Sequence, residues 1–550
     1  MSNETNTDTN TNVHNTPDGL AEQLRDRTEQ ANRWAEQAQR LGWLSSDDAL
    51  GLKNLSGTTS RDLFTEDAGE PLVVALFGGT GVGKSSLLNR LVGEPIAKVG
   101  VIRPTSLEAT VYVHQAVTFA GPPRTGFERS VHTNDKRRNV VWVDMPDVDS
   151  TAAHNRELVL DFLPFVDVLV YVVSPERYRD EAPWALLSAH AERSAWVFVM
   201  NQIDRGQPAQ LEDLSKAVQA AGFKDPMLFA TSCGPAVLDK SDVAKTDLDQ
   251  FDALAAFIDS LAQERLREAL KDEGRSARLR LLSDQVSSVS ESWPQETDSF
   301  VDAWDERKKL LAKELQKDLV DRLAPVAARM AQGEAAAPGE LWDQWGTERV
   351  SDALSEVRIA SAQQGWSKGA LAKLDAVISP ALTAHSESAL RESVSMSLAR
   401  PGTSLQRGVF AACRWLQYGL PLLALAWVGW FVISGFYGGA TGSGDFVADG
   451  FALNAILLVA LGAGIPWLLG RLVKPSPRKA ALIGVRNGLD SIIEYIDSIA
   501  RTQIGVATEE LHELMEQRET LVAPITHTKG GKQAPDAEAS KLNARLRRSK

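Results

Sequence analysis

Apolar residues along this chain follow three spacings, and each predicts a different kind of element. Residues 72–77, 139–143, 195–200 and 227–230 are short, almost unbroken apolar runs, the pattern of strands covered on both faces. Around them apolar positions recur at helical spacing. Leu20, Leu24, Ala31, Trp34 and Leu41 fall roughly on one stripe of a helix over 19–44. Leu254, Phe257, Ile258, Leu261, Leu266 and Leu270 do the same among many charges over 248–286, and more helix is expected at 300–330 and on toward 398. Trp342 and Trp345 read as packing residues at helical spacing.

The third pattern has no polar face. Residues 415–437 and 451–472 are nearly uncharged, and each is long enough to cross a hydrocarbon layer of about 30 Å as a helix. Pro421 and Pro466 are tolerated in membrane helices, and Trp415, Trp430, Tyr437 and Trp467 suit interface positions. The connecting loop carries Asp445 and Asp449 but no Lys or Arg. Arg400, Arg407 and Arg414 precede the pair, and Arg471, Lys474, Arg478 and Lys479 follow it. This asymmetry predicts a two-span hairpin in the cytoplasmic (inner) membrane with both termini cytoplasmic, so a lipid membrane is an expected partner. Beyond it, Leu482, Val485, Leu489, Ile492, Ile496 and Ile499 alternate at three and four, a coiled-coil-like seam over 478–524. The seam continues at Ala507, Leu511, Leu514 and Leu521 after a break expected near Gly505, and is expected to pair with helices that precede the hairpin.

Composition adds limits. A chain of 550 residues exceeds a single core, so two or three domains are expected. The net charge of −13 supplies no basic field, and no nucleic-acid partner is expected. Cys233 and Cys413 lie far apart, and neither they nor the scattered histidines show metal-ligand spacing, which suits a reducing compartment. The Asn/Thr-rich stretch 1–18 is expected to be a disordered tail without a signal-peptide pattern, and 525–550, ending Arg545-Leu546-Arg547-Arg548, a disordered basic tail.

The chemistry begins where the run 72–77 ends. Gly78, Gly79, Thr80, Gly81, Val82, Gly83, Lys84 and Ser85 follow it directly, and a helix is expected to open at Lys84-Ser85-Ser86. A strand, a glycine-rich turn and a helix in that order form a P-loop, whose N–H groups converge on phosphate. Lys84 would reach the β/γ-phosphates, and the Ser85 hydroxyl would sit on Mg²⁺. The chain is therefore expected to bind a nucleoside triphosphate. Run 139–143 ends in Asp144-Met145-Pro146-Asp147, where an acidic residue belongs in the Mg²⁺ shell. Run 195–200 ends in Asn201-Gln202-Ile203-Asp204, and run 227–230 in Thr231-Ser232-Cys233.

These segments, in this order, resemble the G motifs of translation-factor-related GTPases, especially the Era-like and dynamin-like branches. The resemblance implies that Asn201 and Asp204 select guanine, that Thr231 and Ser232 back the base, and that GTP and GDP are the ligands. It also implies a switch loop at 99–106, in which Thr105 coordinates Mg²⁺, with Ser106 and Thr110 as alternatives. Catalysis would then rest on Lys84 and Thr105, and metal binding on Ser85, Thr105 and Asp144. The motifs depart from the family at several positions. Gln202 stands for the usual Lys beside the base, and Asp147 for the glycine that senses the γ-phosphate. Val148 replaces a water-orienting Gln, and Gly81 lacks the Asn or Ser of cation-dependent relatives. Slow hydrolysis, helped by homodimerisation or oligomerisation, is the expectation.

The expected architecture is an α/β P-loop GTPase domain, a mostly parallel sheet with helices on both faces, joined to an α-helical stalk and a two-helix transmembrane hairpin. Its segments are an N-terminal helical part at 19–69, the GTPase domain at 70–245, the stalk at 246–408, the spans and the C-terminal helix at 478–524. The implied function is a membrane-anchored, dynamin-like GTPase. A GTP-regulated membrane switch that recruits cytosolic partners, or a GTP-binding pseudoenzyme, are the alternatives.

Overall fold

The computed structural model describes residues 17–55, 57–64, 70–95, 97, 109–121, 127–147, 153–181, 183–185, 193–233, 248–440, 451–524 and 537–548. Thr105, Ser106, Val148, the loop 441–450 and residues 1–16 fall outside them. The chain divides into two compact units, residues 1–40, 44–291 and 514–550, and residues 41–43 and 292–513.

The first unit is built on a seven-stranded sheet in the order β3-β2-β4-β1-β5-β6-β7. Its strands are β1 Leu72–Phe77, β2 Ala109–His114, β3 Phe127–His132, β4 Val140–Asp144, β5 Val168–Val173, β6 Ala195–Met200 and β7 Leu228–Ala230. β2 runs antiparallel to β4, and the other neighbouring pairs are parallel. β1, β4, β5 and β6 are buried along their whole length, which explains their unbroken apolar runs. One face of the sheet packs Val73, Ala75 and Phe77 against α4 Ala153–Phe162 and α5 Pro208–Ala220 through Val159, Leu214 and Val218. The other packs Leu72, Val74 and Leu76 against α3 Lys84–Val92 through Leu87, Leu88 and Leu91.

Two helices that the sequence pattern assigns to a stalk belong to this unit. α6 Phe251–Leu261 buries Phe251, Leu254, Ile258 and Leu261 in the core on the α3 face, and α7 Glu264–Val289 adds Leu270. The helical part beyond the GTPase domain therefore begins later than 246, because that stripe is spent on the sheet. The C-terminal stretch also corrects the expectation of a disordered tail. α14 Ala537–Leu546 is helical, Leu546 is fully buried in the same core, and Leu542 packs against it. The N-terminal helix α1 Pro17–Leu41 precedes the short α2 Ser46–Lys53, and within this unit Trp34 Nε1 donates to the Leu514 carbonyl at 2.9 Å.

The second unit is helical. It contains α8 Ser299–Met330, α9 Gln344–Gln363, α10 Lys368–Ala399, α11 Ser404–Ala440, α12 Phe451–Val473 and most of α13 Pro477–Val522. The seam of α13 is covered within the chain. Val485, Leu489, Ile492 and Ile496 are buried, and Gly484 and Gly488 let α10 approach so closely that a Cβ would lie 2.6 Å from the Val394 Cα and 2.9 Å from Leu390. Trp304 Nε1 donates to the Asp497 carboxylate at 2.8 Å. Helix α13 passes through Gly505 without the expected break. A glycine costs a helix about 1 kcal/mol, whereas the buried seam contributes on the order of 10 kcal/mol, so packing decides. α11 and α12 pack on each other and are long and apolar enough to cross a membrane, by length and composition. Most of their large side chains face outward, Trp415 at 79% exposure and Trp430 at 72%.

Candidate functional site

Every strand end that carries candidate chemistry lies at one edge of the sheet. β1 delivers the P-loop, and its parallel neighbour β4 places Asp144 beside Leu76, one residue before the loop's approach. Two glycines are required by this turn. A Cβ on Gly78 would lie 2.1 Å from the Val172 carbonyl of β5, and one on Gly83 (φ +87°) would lie 2.4 Å from Asn201 Nδ2. Gly83 caps α3, so the free N–H groups of the first helical turn open onto the loop.

Lys84 is buried and donates to the carbonyls of Gly78 and Gly79, each at 3.1 Å, and to the Asp147 carboxylate. Ser85 Oγ donates to Asp144 Oδ2 at 2.6 Å, while Asp144 Oδ1 is buried with no hydrogen-bond partner among the described residues. Burial pushes the Asp144 carboxyl above its ordinary range, and the neighbouring Asp147 charge adds to the rise against the pull of Lys84 and the Ser85 hydroxyl. An orphaned carboxylate oxygen next to a serine hydroxyl fits a divalent cation, which takes oxygen ligands and would remove the penalty.

At the ends of β6 and β7 the side chains form a second assembly. Asn201 Nδ2 donates to the Val82 carbonyl at 3.0 Å and ties the P-loop to β6. Its Oδ1 accepts from Thr231 Oγ1 at 3.0 Å and from the Cys233 N–H at 2.9 Å. Gln202 adopts the left-handed region (φ 62°), and its Nε2 donates to the Gly81 carbonyl at 3.2 Å. Asp204 Oδ1 accepts from Ser232 Oγ at 2.7 Å, with part of the carboxylate open to solvent. The structure thus brings together Gly78 to Ser85, Asp144, Asp147, Asn201, Gln202, Asp204, Thr231 and Ser232. Thr110, an alternative to Thr105, lies in β2 opposite Asp144.

Three residues that sequence reasoning missed also hold this site. Arg90 of α3 donates to Asp249 at 3.1 Å and to the Ser232 carbonyl at 3.2 Å, and lies 3.9 Å over the Phe251 ring. Asp249 in turn accepts from the Ser232 N–H at 3.3 Å. Burial alone would lower the Arg90 guanidinium, but Cys233 and Asp249 leave it raised, and burial pushes the Cys233 thiol up to about 11. Arg177, after β5, donates to the Thr80 carbonyl. Its only sequence signal is a basic residue just past a buried strand.

Residues 73–202 match the family described as 50S ribosome-binding GTPase. The chain thus carries a P-loop GTPase domain. A curated relative of this domain, a probable transmembrane GTPase, FZO-like, of Arabidopsis thaliana chloroplasts, is 26% identical over 145 residues, 24% of this chain and 15% of the relative. The tRNA modification GTPase MnmE of Phocaeicola vulgatus is 27% identical over 235 residues, 39% of this chain and 44% of the relative. The chain thus spans less than half the length of either. Among solved structures, a bacterial dynamin described as an oligomerised pair for sensing and tethering membranes is 13% identical, with a TM-score of 0.37, over 90% of this chain and 95% of its own. Toc33 from Arabidopsis thaliana with Mg²⁺ and GMPPNP is 19% identical, with a TM-score of 0.24, over 38% of this chain and 85% of its own.

Proposed function

We propose that this protein is a membrane-anchored GTPase in which Mg²⁺-bound GTP occupies the cradle between Lys84, Ser85, Asp144 and Asp204. The observation that carries guanine selection is the braced Asp204. Ser232 fixes its Oδ1, Asn201 joins the same strand ends to the P-loop, and the carboxylate stays open at the edge of the site. A carboxylate so held accepts from two guanine N–H groups, while adenine would leave it unpaired.

The residues divide the work. The P-loop N–H groups and Lys84 hold the phosphates, with Lys84 released from Asp147 when phosphate arrives. Ser85 and Asp144 hold the Mg²⁺, which neutralises phosphate charge when bound. Thr105 completes that shell from the switch loop. Hydrolysis is slow in the isolated chain and rises on homodimerisation or oligomerisation, because Val148 offers no group to orient water.

Anchorage rests on α11 and α12. Helices of 37 and 23 residues reach about 55 and 35 Å, enough to span about 30 Å of hydrocarbon, and their outward leucines and tryptophans would be strongly unfavourable in water. The FZO-like relative, named as a transmembrane GTPase, supports the same reading. Both termini and the GTPase domain then lie on the cytoplasmic side. A second reading, a GTP-binding pseudoenzyme, is favoured by the Lys84–Asp147 pair, which sets an anion against the incoming phosphate. Displacement of a fluorescent GDP analogue by GTP, ATP and XTP in the presence of Mg²⁺ tests the assignment. GTP alone should compete at micromolar concentration or below, and equal competition by ATP would exclude a guanine site.

A further inference from the structure

On the first unit, away from the P-loop, Arg193, Arg278 and Arg547 line one cleft with Lys271 and Arg275. It opens partly to solvent, and the Asp167 carboxylate also lines it. Lys271 and Arg275 have carboxylate partners. Lys271 Nζ lies 3.1 Å from Glu70 and 3.8 Å from Asp167, and Arg275 lies 3.3 Å from Glu70 and 3.1 Å from Asp272. The other three have none within 4 Å among the described residues. Arg278 donates only to the carbonyls of Thr58 and Pro164, both at 2.7 Å, and Arg547 to the Leu270 carbonyl at 3.3 Å.

Arg547 is the sharpest case. It is 9% exposed, and its Nε and one terminal nitrogen are buried without a hydrogen-bond partner among the described residues. Burial, with like charges nearby, drops the Arg278 and Arg547 guanidiniums to about 10. A folded chain rarely keeps buried donors unmatched, since each costs the desolvation of a charged group. Alternative explanations fit poorly. Glu70 is shared by Lys271 and Arg275, Asp167 faces Lys271, and Glu273, the chief acidic influence on Arg547, pairs with Arg280 at 2.6 Å, while a single water would satisfy donors without offsetting charge.

We propose that this cleft is an anion site that takes one small tetrahedral oxyanion of the phosphate class, bound by Arg193, Arg278 and Arg547. Guanidinium forks match such an ion's geometry, and each adds charge-assisted hydrogen bonds. Arg547 directly follows α14, so a bound ion also fastens the C-terminal helix to the core in which Leu546 is buried.

Equilibrium dialysis of labelled inorganic phosphate against the full chain, saturated with GDP and Mg²⁺ so that the P-loop is covered, reads the site directly. About one phosphate per chain should bind, unaffected by chloride at equal ionic strength. Arg547→Gln and Arg193→Gln, from different walls of the cleft, should each weaken it roughly tenfold or more while GDP binding reports an intact domain. Absence of phosphate binding to the GDP-saturated wild type, or undiminished binding in both variants, overturns the proposal.

Discussion

The ammonium of Lys84 and the carboxylate of Asp147 form a buried ion pair inside the P-loop. On the proposed reading Lys84 holds phosphate, so the chain places its own anion on that lysine. Entering phosphate must displace it and then face its charge. Asp147→Asn should therefore bind GTP several-fold to roughly tenfold more tightly, with a smaller gain for GDP. Lys84 keeps the Gly78 and Gly79 carbonyls in that variant, so the fold should hold. Titration with fluorescent GTP and GDP analogues measures both; weaker GTP binding would show that Asp147 assists the site.

Asp144 couples the same site to pH. Its folded-state carboxyl is raised by burial, so the proton is held more tightly folded than unfolded. The associated stability is present below the ordinary carboxylate range and is lost as pH rises through the raised value. Asp144→Asn should raise the neutral-pH Tm without Mg²⁺, flatten its dependence on pH above the carboxylate range and abolish Mg²⁺-dependent nucleotide binding. A lower Tm for the variant would mean that the carboxylate is already satisfied.

Base selection turns on one carboxylate. Asp204→Asn should lose roughly ten- to hundredfold in GTP affinity and gain xanthine nucleotide binding, because the amide donates where guanine also donates. Competition with XTP and GTP measures the exchange, and an unchanged base preference would mean that another strand end reads the base.

Topology has its own test. Ser443→Cys, in the expected outer loop, should react with an impermeant maleimide added to intact cells, whereas the buried Cys233 and Cys413 should not. Labelling of the variant only after lysis would reverse the hairpin.

Much of this site is legible in the sequence because its parts are local. Gly78 to Ser85 are contiguous, and Asp144, Asn201, Asp204 and Thr231 each follow a buried apolar run, so strand position alone brings them to one edge. Arg90 and Asp249 escape such a reading because their bond spans 159 residues and each looks like an ordinary surface charge. β5 Val168–Val173 is an apolar run like β1 but carries no motif of its own, and β2 and β3 lack that clean pattern. The C-terminal helix hides for a different reason. Leu542 and Leu546 sit in a basic run that reads as solvated, and only burial of Leu546 against the core makes them structural. At Gly505 the local propensity is read correctly and overridden by the seam around it.

On the proposed reading a GTP-hydrolysing domain works at the membrane in which its own chain is anchored. GTP hydrolysis by the protein, measured against its density in liposomes and in detergent, reads that coupling. Specific activity should rise with density in liposomes, stay low in dilute detergent and vanish in Lys84→Ala; no GTP turnover at any density would contradict it.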